Sequence, residues 1–239
     1  MFDDRAVSEV LGFVLVFGLI FGSVGLLYMV GFSSITDYQE GEQMRNANQA
    51  FEAIAENFND LQRNDGVEAR SSEISHRGGM PSVDEETTNV TISVEDNSGG
   101  EVVNETVQLG ALTYSFKGTT IAYEGGGVFR ERDGGSVTIK EPLLKCREDA
   151  NGETVAIVSL TKVLDGGVSL QDSPTQEIRA KRGGSEVLHT GGLNDLEITV
   201  EDSPYEDAWD RLTEPFNDEC GNADRGTIRV TEISIEVGE

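Results

Sequence analysis

The sequence predicts an α+β protein: a long N-terminal helix, apolar in its first half and amphipathic in its second, packed on a mainly antiparallel β-sheet or sandwich head. Three observations carry that expectation. Residues 7–32 are 26 residues of near-continuous hydrocarbon with a single charge, Glu9. From Met44 to Leu61 apolar residues return every three or four positions, the spacing of one helical face. Beyond residue 88, short alternating runs are separated by glycine pairs, the pattern of strands joined by tight turns.

The first element is the apolar run. About 20 residues suffice to cross ~30 Å of hydrocarbon, so Val7–Phe32 reads as a spanning helix with membrane lipid as its partner. A cleaved secretory signal has a basic leader and a shorter apolar region, whereas here the leader is MFDDR and the run is too long. A five-residue tail seldom crosses first and acidic residues count little in setting topology. The expectation is therefore single-pass, with the N-terminus inside and the C-terminal domain extracellular. Gly18, Gly22 and Gly25 share one helix face, and Gly18-x-x-x-Gly22 is the small-residue spacing that lets helices approach and self-associate. The alternative is that glycine is simply common in membrane helices. Glu9 is costly one turn inside such a segment unless it is paired; the other reading is an interfacial carboxylate wetted by headgroups.

The second element continues the first. Met44, Ala47, Phe51, Ile54, Phe58 and Leu61 form a narrow apolar stripe among polar residues, and no proline interrupts residues 7–63. One helix of about 57 residues, reaching ~85 Å, is expected there, with 33–63 as its amphipathic half. Residues 64–88 are polar without a sustained period and read as a loop or linker, and 89–239 as the head.

In the head, Val90, Ile92 and Val94, then Leu196, Ile198 and Val200, alternate as half-buried strands do, and TTIAYEGGGVFRE reads as a hairpin. In the last strand Ile228 and Val230 occupy one parity and Ile233, Ile235 and Val237 the other. A β-bulge near Thr231–Glu232 is expected to bring all five onto one buried face. Trp209 and Leu212 mark the apolar side of a short helix.

Charge bounds the function. Asp and Glu number 44 against 18 Lys and Arg, only five of them Lys, for a net charge of −26. Dense carboxylates with few lysines suit a surface bathed in concentrated salt, as in a halophile; the plainer reading is an ordinary acidic surface protein. No basic stripe exists to displace counterions from nucleic acid. Cys146 and Cys220 show no metal-type spacing. If the head lies outside the cell a disulfide between them is the natural reading, against two separate buried thiols. Asn89-Val-Thr91 and Asn104-Glu-Thr106 fit the N-glycosylation sequon.

Enzyme readings find little support. His76 and His189 have no partner at the spacing of a metal site or triad, and the glycines at 125–127 lack the Lys-Ser/Thr ending of a phosphate loop. Asp202, Glu206, Asp207 and Asp210 are dense enough for Ca²⁺ but lack the EF-hand order, and read as a solvated face. No catalytic residue, metal or cofactor is expected.

The string Arg5-Ala6-Val7-Ser8-Glu9-Val10-Leu11-Gly12, followed by an apolar helix that runs on into an amphipathic half, resembles the archaeal, especially haloarchaeal, type IV pilin-like proteins with a flagellin N-terminal-like start. The resemblance covers roughly residues 1–63. It implies that 1–6 is a short leader, cut near Arg5–Ala6 or Ala6–Val7 by a prepilin-type peptidase. It further implies that helices bundle as a filament core with β-rich heads outside, for adhesion or surface contact. In bacterial relatives a glutamate five residues into the mature chain pairs with a neighbour's new amine. Glu9 departs from that pattern, falling at mature position four or three. The alternative to an assembling subunit is a single-pass anchored receptor or binding protein that never polymerises.

Overall fold

The computed structural model describes residues 4–75, 79–168 and 175–238, with side chains described at those positions except 4–9, 30–37 and 168. The chain divides into two compact units, Met1–Arg45 and Asn46–Glu239. Helix α1 (Asp4–Arg63) supplies the first and opens the second.

In the first unit α1 carries the apolar segment. Val10–Met29 is long and apolar enough to cross a membrane, and none of it is buried in the protein. Phe13 is 68% exposed, Leu19 74% and Met29 76%, so hydrocarbon faces outward on every side. Phe13, Phe17 and Phe21, four residues apart, line one side with ring centroids 5.6 and 4.5 Å apart. The Ser23 hydroxyl donates back to the Ile20 carbonyl at 2.9 Å, which satisfies its proton within the helix.

The second unit is β-rich. After α1 come β1 (Ala69–Ser75), β2 (Met80–Glu95), β3 (Glu101–Phe116), β4 (Thr119–Glu124), β5 (Gly127–Arg132), β6 (Gly135–Lys140), β7 (Leu143–Glu148), β8 (Thr154–Val168), β9 (Thr175–Gly192), β10 (Asp195–Glu201), α2 (Glu206–Cys220) and β11 (Arg225–Val237). A five-stranded sheet has the order β1-β9-β11-β8-β7 and a six-stranded sheet the order β10-β2-β3-β4-β5-β6. Pairing is antiparallel except between β8 and β11, whose crossover runs through β9, β10 and α2.

Two regions of burial result. Val90 and Ile92 of β2, Val158 of β8 and Ile228 of β11 meet Trp209 and Phe216 of α2 in a core between the sheets. Phe51, Ile54, Phe58 and Leu61 of α1 are equally buried but lie outside that cluster, as do Ile178 of β9 and Ile235 of β11. The stripe expected along α1 is present: its residues from Ala47 onward are buried, and Met44 is half-buried.

Two expectations need correction. Residues 64–88, expected to be loop, contain β1 and the first part of β2. β1 has one fully buried apolar residue, Ile74, and owes its form to its ladder with β9. In β11 the pairing with β8 runs unbroken from Arg225 to Ile235. The irregularity at Thr231/Ile233 is against β9, where Gly183 and Gly184 together stand against the single residue Glu232. The five apolar residues therefore do not share a face: Ile228 and Val230 enter the inter-sheet core, while Ile233, Ile235 and Val237 are buried on the opposite face.

Candidate functional site

The residues that hold the helices to the head converge on one hairpin. β4 and β5 pair through Glu124 and Gly127, leaving Gly125 and Gly126 as a two-residue turn with φ of +61° and +92°. Positive φ at both central positions is the geometry that matches strand twist in tight hairpins, and glycine adopts it without strain. Glycine is also needed for space: a Cβ on Gly125 would lie 2.8 Å from the Trp209 ring, and one on Gly126 3.2 Å from the Gln62 amide nitrogen.

Alternation along β4 sends neighbouring side chains to opposite faces. On one face Tyr123 meets α1: its hydroxyl donates to Asn59 Oδ1 at 2.9 Å, and its ring stands edge-on to Phe58 at 5.6 Å. Asn59 Nδ2 donates to the Gly126 carbonyl at 2.7 Å, so one buried amide bonds strand and turn together. Ser159 of β8 donates to Gln62 at 2.7 Å, and Lys140 pairs with Glu56 at 3.0 Å. On the other face Glu124, fully buried, accepts from the Trp209 indole at 2.8 Å and lies against the hydroxyls of Thr88, at 2.9 Å, and Thr87. Burial raises the pKa values of both Tyr123 and Glu124 above their ordinary ones.

α2 fastens three strand edges. Asn217 accepts from the Ile198 N–H at 3.0 Å and donates to the Ile198 carbonyl at 2.9 Å, covering edge strand β10. At β6 the Ser136 hydroxyl accepts from the Ala208 N–H at 3.0 Å, and Arg211 donates to the Ser136 carbonyl at 3.0 Å. A disulfide between Cys146 and Cys220, Cα atoms 5.7 Å apart, joins β7 to the helix end. Trp209 is fully buried and Leu212 partly so, as the sequence suggested for a short helix.

Other expected site residues lie elsewhere. Arg5, Ala6, Val7 and Glu9 are on the helical backbone of α1, but their side chains, like all of His76, lie outside the described residues. Gly18, Gly22 and Gly25 each leave open space where a Cβ would stand. Asn89 and Asn104 sit on β2 and β3, with their sequon threonines facing each other at 2.8 Å; Asn104 is exposed, whereas Asn89 donates to Asp202 at 3.2 Å. No cluster of metal-ligating side chains occurs among the described residues.

Hairpin and helices together define a class: a β-rich head fixed to the distal part of a helix whose proximal part is apolar enough to anchor in a membrane. The chain belongs to the family of unknown function DUF7289, which it matches over residues 5–237, apolar helix and head together. No curated protein and no solved structure matches it.

Proposed function

We propose that this protein is a pilin-like cell-surface subunit of a halophilic archaeon, inserted by its N-terminal helix and assembled through it into a pilus-like filament. The head faces the medium for adhesion or contact. The observation that carries this reading is the division of labour within α1. Val10–Met29 leaves its whole circumference free for lipid or for copies of itself, while from Ala47 onward the helix is consumed by packing in the head. An apolar circumference with open glycines at 18, 22 and 25 suits transfer from lipid into a helix bundle. Of the two sequons, Asn104 is the one placed to carry a glycan.

N-terminal sequencing and intact mass of the protein from its own membranes test the proposal. A terminus at Ala6 or Val7 is expected from processing by a prepilin-type peptidase, along with added glycan mass that Asn104→Gln removes. An intact Met1 terminus sinks the pilin reading and leaves an anchored protein. That second reading, a non-polymerising binding protein, is favoured by a cleft of about 400 Å³ lined by Glu105, Val107, Lys162, Leu188, Val230 and Glu232.

A further inference from the structure

β4 pairs with β3 only from Ala111 to Phe116, so among the described residues Glu101–Leu109 has β2 on one side and no strand on the other. A cleft opens along that bare side. Glu105, Thr106, Val107 and Gln108 line it in unbroken succession, and no described residue of β2 reaches it. Successive side chains of a strand leave from opposite faces, so four consecutive residues present the strand's edge to the cleft. Along such an edge every second residue turns its N–H and C=O away from the one neighbouring strand. The floor is the inner face of the five-stranded sheet, where Val230 and Leu188, with Val107 of β3, continue the inter-sheet core. Beyond them the inner positions turn charged. Glu105 lies two residues before Val107, Glu186 pairs with Val230, and Glu232 lies two residues after it. Lys162 meets Glu232 at 3.5 Å, which leaves Glu105 and Glu186 exposed and, among the described residues, without an ion pair.

We propose that this cleft binds an extended, cationic peptide segment of another protein, which joins the six-stranded sheet as a strand along the bare edge of β3. The inference rests on the binding reading of the cleft and names its ligand. Residues i and i+2 of a strand face the same way, as Val107 and Glu105 do. The segment therefore carries an apolar side chain, which covers Val107 and Val230, and two residues away a lysine or arginine, which enters between Glu105 and Glu186. Main-chain bonds to β3 give affinity and the alternate side chains select the partner. Inward charges at an edge keep strands from pairing at random; a matched cation turns the same charges into an attraction. A net charge of −26 sets a second copy of this chain against the site and favours a cationic partner. Asn104 lies on the opposite face of β3 from Glu105, so a glycan there leaves the cleft open.

The probes are labelled synthetic peptides, added to the full chain in detergent and followed by fluorescence anisotropy. TTVTKTT is expected to bind roughly fivefold to tenfold tighter than TTVTETT, the range set by exposed ion pairs and their reversal. Glu105→Lys, at an exposed position, should invert that preference. Strand addition has its own signature, because only every second N–H of an added strand faces β3. Of two versions of TTVTKTT N-methylated at alternate residues, one should lose binding and the other keep it. No binding of TTVTKTT, or equal affinity for the two methylated versions, overturns the proposal. So does a cleft filled by a second copy, seen as self-association that Glu105→Lys weakens and TTVTKTT leaves unchanged. N-terminal sequencing decides between anchored protein and filament subunit whatever the peptides do, so failure of this inference and failure of that reading are read separately.

Discussion

Val10–Met29 and Asn46–Arg63 belong to one helix and obey opposite rules. In the first, apolar side chains such as Leu19 and Leu27 are about three-quarters exposed, and the glycines face open space. In the second, Phe51, Ile54 and Phe58 are sealed away, and even the polar Asn59 and Gln62 are buried. Exposed hydrocarbon needs a partner without hydrogen-bonding demands, such as lipid or another such helix. A helix buried on a sheet can take polar residues inward, provided each finds a bond. Helical propensity is therefore shared along α1, while the solvent for which each half is written differs.

The contrast is best broken where it is sharpest. Phe58→Ala opens a cavity beside Tyr123 and is expected to destabilise the head by ~3–5 kcal/mol while leaving membrane partition unchanged, read by thermal melting and by flotation. Leu19→Arg should do the reverse. Its cost of ~2.5–3.5 kcal/mol falls on insertion, so the protein shifts to the aqueous fraction with the head's melting temperature unaltered. Cys146→Ser removes the link from β7 to α2 and should lower head stability by about 2–4 kcal/mol without affecting insertion.

Asn59→Ala sharpens the comparison, because it removes a polar group from the half that buries them. With the Tyr123 hydroxyl and the Gly126 carbonyl left without this partner, a loss of ~1–3 kcal/mol is expected by denaturant titration. The smallest effect is acid loosening at the foot of α1. Hydrogen bonds from Arg70 and Asn64 hold Asp60 below its ordinary 3.8. Its contribution is thus present above that value and lost as pH falls toward the lowered one. Amide exchange of the last helical turn in acid should show the loss, and Arg70→Ala, which leaves only the Asn64 bond, should diminish it.

Legibility followed periodicity. The α1 stripe and the β4–β5 hairpin were readable because their burial repeats at one fixed period. β1 was not, since ARSSEIS has little apolar content and becomes a strand through β9. In β11 both parities are apolar, which suggested a bulge. An irregularity does lie there against β9, but with the β8 register unbroken the strand changes buried face partway along because it serves two regions of burial. Glu124 was missed as well. A signal existed in TTIAYE, where Ile121, Ala122 and Tyr123 put apolar groups on both faces and so announce a strand covered on both sides, in which the next residue is also buried.

By itself the sequence determined what depends on local order: an apolar segment long enough for a membrane, a second helical half with one buried stripe, strands with their turns, and a net charge of −26. Tertiary structure alone decided which distant groups meet. Asn59 comes to lie beside Gly126, 67 residues on, and Trp209 beside Glu124, 85 residues back. Such pairings depend on how two sheets and two helices close around one hairpin, and no periodicity along the chain encodes that closure.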